Sequence, residues 1–300
     1  MPGRRGGGGR RPTGPIAIFL CALLGLGLLL YPSAAEWFST IGHNTQISGY
    51  AQAVRQLPDA RQKELLANAR AYNSALPGGQ LRDPYSPAAA QDQSGYQRQL
   101  AVGDGGVMGR LRYERLGIDL PILHGTSADT LAHGVGHLFG SSLPVGGVRT
   151  HSVLTAHSGY INAPLFDRLH EAREGDVFTL NVLGSLLRYR VDRIRTVEPR
   201  DISALSVEDG EDRVTLLTCT PIGVNSHRLL VQATRIDPGK DVAPSEVRMA
   251  GEGKEPGFPW WAALFLAGAA GAAALLFPGF PRAIRTSLGV VGARLRARTR

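Results

Sequence analysis

Residues 215–230 read TLLTCTPIGVNSHRLL, a thiol at the end of an apolar run with a histidine and an arginine close behind it, Cys219, His227 and Arg228. The other cysteine, Cys21, lies in an uncharged apolar segment, so the two are not expected to pair. A free cysteine is most often a small buried hydrophobe; it becomes a nucleophile when a nearby cation favours its thiolate. RVTLLTC and RLLVQATRI both read as strands, and the loop between them, with Gly223 and Asn225, can return the chain antiparallel. That pairing sets Cys219 at the end of one strand beside Arg228 at the start of the next. A guanidinium there would favour the thiolate and could stabilise an oxyanion on a carbonyl attacked by the sulfur.

Thiol catalysis also calls for an acid/base, usually histidine. Of eight histidines, His43, His170 and His227 fall in helical or loop contexts, while His124, His133, His137, His151 and His157 crowd one stretch. Their spacings match no standard zinc pattern and no cysteine joins them, so neither metal nor cofactor is expected. His157 closes the strand-like run HSVLTA and opens the turn HSGY, which puts it at a rim. His227 is nearer in sequence, but adjacent strand residues point to opposite faces; if Arg228 faces Cys219, His227 faces away. The residues lean to His157.

Such groups need a scaffold that brings strand ends to one rim. From Gly106 onward the chain offers VMGRLRYERL, IDLPIL, HSVLTA, VFTLNVLG, LLRYRVDRIRTV, RVTLLTC and RLLVQATRI, short β-type runs punctuated by glycine. LFDRLHEA is the one helix-like stretch expected among them. Many short strands and few helices argue for a sandwich or a barrel. Over residues 36–76, Val54, Leu57, Leu65, Leu66 and Ala69 recur at helical steps, with Pro58-Asp59 marking a break. Residues 77–105 have loop composition, and residues 238–257 read as a polar tether.

The formal charge of the 300 residues is +8, but ten of the 33 basic side chains lie at the two ends, leaving 23 against 25 acidic ones over residues 12–281. No basic footprint covers the fold, which excludes a nucleic-acid partner. Inside the basic tails, 1–14 and 282–300, lie two uncharged apolar segments, 15–35 and 258–281, the second opening with Trp260 and Trp261. Each is long enough to cross a bilayer, and the positive-inside rule sets both basic ends in the cytoplasm and residues 36–257 outside it. Ser33-Ala34-Ala35 before Glu36 offers a second fate for the first segment, cleavage as a signal peptide, which leaves the central region on the same side. In that disulfide-permissive compartment a lone cysteine marks an intermolecular bridge or a reactive thiol.

TLLTCTPIGVNSHRLLV resembles the active-site strands of the sortases. HGTSADTLAHGVGHLFGSSLPVGG followed by THSVLTAH resembles the stretch leading to the family's catalytic histidine, and LRDPYSP the lid of the class C, pilin-polymerising sortases. The resemblance runs over residues 36–236. It implies an all-β fold, a closed eight-stranded barrel with short helices over residues 106–237, an N-terminal helical extension over 36–76, a lid and linker over 77–105, and flanking transmembrane helices. It implies Cys219 as nucleophile, His157 as acid/base and Arg228 as the oxyanion or substrate-orienting group. Asp83, Pro84 and Tyr85 would form the lid, Asp83 on Arg228 and Tyr85 over Cys219. The implied activity is that of a membrane-anchored cysteine transpeptidase. It would cleave LPXTG-like signals between Thr and Gly through a thioacyl intermediate and pass the acyl group to a pilin lysine. A cell-wall peptidoglycan amine, anchoring surface proteins, is the alternative acceptor; a non-catalytic membrane-tethered interaction module is the reading from another class. Ala156 replaces the usual Gly before the histidine, Ser226 the usual Thr, and Tyr85 the frequent Trp or Phe.

Overall fold

The structure, a computed structural model, describes residues 13–76, 81, 83–85, 93–103, 105–201, 203–236, 253 and 255–277. Residues 1–12 of the N-terminal tail, the whole C-terminal tail, most of the expected tether, much of the 77–105 linker and the end of the second apolar segment lie outside the described residues. The chain divides into two units, residues 35–256 and the two ends, 1–34 with 257–300.

Helix α1 (Thr13–Gln56) begins in the terminal unit and ends in the central one, running without a break past residues 35 and 36. Among the described residues it is the one helix long and apolar enough to cross a membrane. The C-terminal helix (Trp260–Leu276) has 17 residues, about 25 Å at 1.5 Å per residue, short of the roughly 30 Å of a hydrocarbon core. In the central unit α1 ends just before Pro58, and α2 (Asp59–Ala75) follows. Proline fixes its own φ and disfavours helical geometry in the residue before it, which accounts for the break. Both helices bury one stripe on the barrel: Tyr50 and Val54 from α1, Leu65 and Ala69 from α2. The stripe is also pinned by polar contacts, Tyr50 donating to the Met108 carbonyl (3.0 Å) and accepting from the Leu183 N–H (2.8 Å).

The barrel has eight strands: β1 (Val107–Tyr113), β2 (Ile118–His124), β3 (Val135–His137), β4 (Thr150–Thr155), β5 (Val177–Val182), β6 (Ser185–Val197), β7 (Asp212–Thr220) and β8 (His227–Ile236). They close in the order β1-β2-β3-β4-β7-β8-β6-β5. Neighbours are antiparallel except β2/β3 and β4/β7, which are parallel. Seven strands coincide with the runs read from sequence; β3 was not expected. Two further helices, α3 (Ser94–Gln97) and α4 (Ala128–His133), pack around it. The expectation of a single helical stretch beyond Gly106 is therefore corrected. LFDRLHEA holds a 3-10 turn, Asp167–Glu171, and the α-helix is α4, capped by the Ser127 side chain accepting from the Thr130 N–H. A serine cap lets six residues hold one helical turn despite their polarity.

Alternation divides the strands' side chains. Val214 and Leu216 of β7, with Leu229, Val231 and Ala233 of β8, fill the barrel interior. The opposite parity, Arg213, Thr215, Leu217 and Cys219 facing Thr234, Gln232, Leu230 and Arg228 in register, lies on the outer face. There Val153, Leu217 and Leu230 join Leu138 and Leu205 in a second, smaller apolar cluster.

Candidate active site

Cys219 is the penultimate residue of β7 and pairs in register with Arg228, the second residue of β8. Because β4 runs parallel to β7, the residues that follow β4 emerge at the same end, so Ala156, His157 and Ser158 lie along the rim that carries Cys219. Side chains stitch that rim together. Ser158 Oγ donates to the Cys219 carbonyl (2.6 Å), Thr218 Oγ1 donates to the Ala156 carbonyl (2.7 Å), and the Phe166 N–H donates to the His157 carbonyl (2.9 Å). The backbone carrying the thiol is thus tied to the backbone carrying the imidazole.

The His157 ring lies between two tyrosines, stacked on Tyr160 (5.4 Å between centroids, 23° between planes) and tilted against Tyr85 (5.5 Å, 39°). Aromatic packing holds its orientation, and no hydrogen bond to the ring is found among the described residues. Tyr160, three residues beyond His157 in the turn HSGY, was not singled out from sequence; an aromatic that close to a rim histidine was the available signal. His227 is exposed, opposite Thr220, with its ring bonded to Ser226 Oγ at 2.8 Å. Three of the other crowded histidines serve the scaffold, and His133 is exposed on α4. His137 bonds Tyr96 and the Ser142 carbonyl, His151 bonds the Ser206 carbonyl and Thr215, and His124 bonds two backbone carbonyls.

Three residues from the chain before the barrel cover this rim. Asp83 accepts two hydrogen bonds from Arg228, from Nε and Nη2, both 2.8 Å, with each side chain 10% exposed. The remaining Arg228 nitrogen donates to the Asn225 and His227 carbonyls, both at 3.1 Å. Pro84 is buried. Tyr85 sets its ring against the guanidinium, 5.0 Å from centroid to Cζ; its hydroxyl donates to the Ala156 carbonyl (2.6 Å) and accepts from Thr155 (2.9 Å). With Leu81, Tyr85 also packs against the outer apolar cluster.

Burial and the neighbouring charges shift both reacting groups. Burial raises the Cys219 pKa above the ordinary thiol value and the Asp83 carboxylate raises it further, against the downward pull of Arg228 and a hydrogen bond with Tyr85. Burial lowers the His157 pKa. In the covered state the pair therefore stands as neutral thiol and neutral imidazole at neutral pH. Uncovered, the thiol would lose part of its desolvation, its carboxylate neighbour and the Tyr85 hydrogen bond and keep its arginine, an arrangement suited to acyl transfer through a thioester.

Residues 111–236 match the Sortase domain family. Among solved structures the chain is similar to sortase C-1 from Actinomyces oris, with 43% identity over 58% of this chain and 98% of that one, at a TM-score of 0.57. It is also similar to Streptococcus pneumoniae sortase C, 40% identical over 64% of this chain and 97% of that one, at 0.60. Sortase D from Bacillus subtilis is 26% identical over 148 residues, 48% of this chain and 72% of the relative.

Proposed function

The chain belongs to the sortase family of cysteine transpeptidases, with class C enzymes among its structural relatives, and from that premise we propose that it polymerises pilins. Cys219 is the nucleophile, His157 the acid/base, and Arg228 the group that orients the scissile carbonyl and stabilises its oxyanion. The Cys219 thiol passes its proton to His157 as the sulfur adds to the Thr carbonyl carbon of an LPXTG-like signal, and the Thr–Gly bond breaks. His157 gives its proton to the departing amine, leaving a thioacyl enzyme. An incoming lysine amine then attacks the same carbon and returns a proton to His157, and the C–S bond breaks as the isopeptide forms.

Asp83, Pro84 and Tyr85 act as a lid. The observation that carries this reading is the double hydrogen bond of Asp83 on Arg228, directly across the β7/β8 register from Cys219. A carboxylate there engages the guanidinium that a substrate carbonyl would use. Leu81 and Tyr85 likewise cover the outer apolar cluster of Leu138, Val153, Leu205, Leu217 and Leu230. When they leave, a trough opens beside the thiol, suited to the Leu and Pro of a sorting signal. The Streptococcus pneumoniae relative was described in terms of pilin substrate specificity, which supports the choice of acceptor. Helix α1 is the candidate anchor; with the basic end that precedes it in the cytoplasm, the barrel works on the extracytoplasmic side.

The test is direct. Full-length protein in detergent is incubated with an LPXTG-type peptide, and the enzyme's mass is read with and without a pilin-derived lysine peptide. The expected result is an acyl adduct on Cys219, absent in Cys219→Ala, and a peptide–peptide product when the lysine peptide is present. A protein that forms no adduct even as Asp83→Ala refutes the transpeptidase reading. An adduct resolved by a cell-wall cross-bridge amine but not by the pilin lysine refutes the pilin acceptor alone.

A further inference from the structure

The wall of that trough is held in an unusual way. Between β6 and β7 the chain makes a 3-10 turn, Ser203–Leu205, whose Leu205 is 2% exposed and packs on Val153, Leu217 and Leu230. The two carbonyls that flank Leu205 are each gripped from the floor of the outer face. Gln232 Nε2 donates to the Ala204 carbonyl at 2.7 Å, and His151 Nδ1 lies 2.9 Å from the Ser206 carbonyl. A carbonyl only accepts, so Nδ1 carries the proton, and Nε2 accepts from the Thr215 hydroxyl at 2.7 Å. Gln232 and His151 are both 1% exposed. Thr215 faces Gln232 in register, and His151 lies one strand over, on β4, beside Arg213.

These side chains sit away from the reacting atoms. Thr215 precedes Cys219 by four residues on the same strand, about 13 Å at 3.3 Å per residue. Their effect on the reaction must pass through the turn they hold. The turn also borders a cavity of about 940 Å³, whose lining includes Arg70, Ser141, His151, Leu205, Ser206 and Val207. Where a turn borders open space, hydrogen bonds to its carbonyls add to the packing that holds it.

We infer that His151 and Gln232 are positioning residues that fix Leu205 as the wall of the trough and so set its preference for the apolar side chain of the sorting signal. The inference rests on the transpeptidase reading above. Buried polar residues cost stability unless paired, and here the Gln232 amide nitrogen and the His151 ring pair with the carbonyls of the residues on either side of Leu205. The barrel, and not the loop's own sequence, then sets the width of the trough.

The experiment compares kcat and KM on two peptides, one with Leu and one with Ala at the first position of the sorting motif. It uses the full-length wild type, Gln232→Met, His151→Ala and His151→Asn. Asn can place an amide donor where Nδ1 stands. Expected for Gln232→Met and His151→Ala are a KM for the Leu peptide raised about tenfold and a Leu-over-Ala preference reduced by a similar factor. Their kcat stays within about twofold of wild type, and Cys219 labelling by a small thiol reagent is unchanged. His151→Asn recovers most of the lost preference, which a loss of general stability would not explain. If His151→Ala fails to fold, Gln232→Met and His151→Asn decide the matter. An unchanged preference in the folded variants, or a fall in kcat alone, overturns the inference while leaving the transpeptidase reading intact. A wild type that acts on neither peptide overturns both.

Discussion

At the scale of single residues, the site is defined by opposed pKa shifts. Cys219 is pushed up and His157 down, both chiefly by burial. Activity should therefore follow a broad bell in kcat/KM, its acid limb below the ordinary imidazole value and its alkaline limb above the ordinary thiol value. A steady-state pH profile checks this; limbs displaced inward contradict it. The thiol's raised pKa also has a sign for the lid. A group whose pKa is higher in the covered state favours that state below its uncovered pKa and ceases to do so as pH rises through the covered value. Alkaline solution should loosen the lid, and Asp83→Ala or Tyr85→Ala should speed Cys219 labelling several-fold at neutral pH, with the labelling midpoint moved to lower pH. Equal rates in both variants and wild type would remove residues 83–85 from the regulation of the thiol. Arg228 is engaged by planar, two-pronged contact, which lysine cannot reproduce. Arg228→Lys is expected to lose on the order of 100-fold in kcat/KM or more, measured on a chain that melts like wild type.

Secondary-structure elements carry the second lesson, since the barrel closes through one that left almost no trace in the sequence. Strand β3 has three residues, and its Gly136 admits no side chain: a Cβ there would stand 2.4 Å from the Gly125 carbonyl oxygen and 2.9 Å from Leu131. Gly136→Ala should destabilise the barrel by about 1–3 kcal/mol or more, the cost of overpacking against backbone, read as a lowered denaturation midpoint at unchanged slope. Three residues are too few to show alternation, which is why β3 escaped notice while the long runs that became β6, β7 and β8 did not. The register of Cys219 against Arg228 was legible because a single loop joins their strands. The contacts of Tyr85 with Ala156 and Thr155 were not, because they span some 70 residues. A turn that carries polar and aromatic residues says nothing of what it will cover. The grip of His151 and Gln232 on the β6–β7 turn was hidden for the same reason, and the crowding of histidines pointed instead toward a metal question.

For the molecule as a whole, the central unit depends on polar groups buried in neutral form. His137, 0% exposed, bonds Tyr96 (2.9 Å) and the Ser142 carbonyl (2.8 Å) and has its pKa lowered by burial to about 4. A depressed folded pKa stabilises the fold above the unfolded imidazole value, near 6.5, and that contribution is lost as pH falls toward 4. The melting temperature should drop across this interval, His137 alone accounting for up to ~3 kcal/mol at about 1.4 kcal/mol per pKa unit. His151, lowered in the same sense, adds to the trend. Thermal melts from pH 7 to 4 measure it, and a flat melting temperature contradicts the neutral assignment. The same ring holds Tyr96 of α3 against the barrel, so acid would reach the chain on the C-terminal side of the lid as well.

The bond between Asp83 and Arg228 has a consequence at the level of concentration. A tethered occupant competes with every free one, and the apparent dissociation constant of a substrate is its intrinsic constant divided by the fraction of molecules whose lid is open. Each 1.4 kcal/mol by which the covered form is preferred multiplies the substrate needed by about ten. On the proposed reading of a lid and a membrane anchor, the enzyme would be nearly idle among scattered signals and become active where its substrates are crowded on the same membrane. Tuning one carboxylate–guanidinium pair would move that threshold without touching the chemistry.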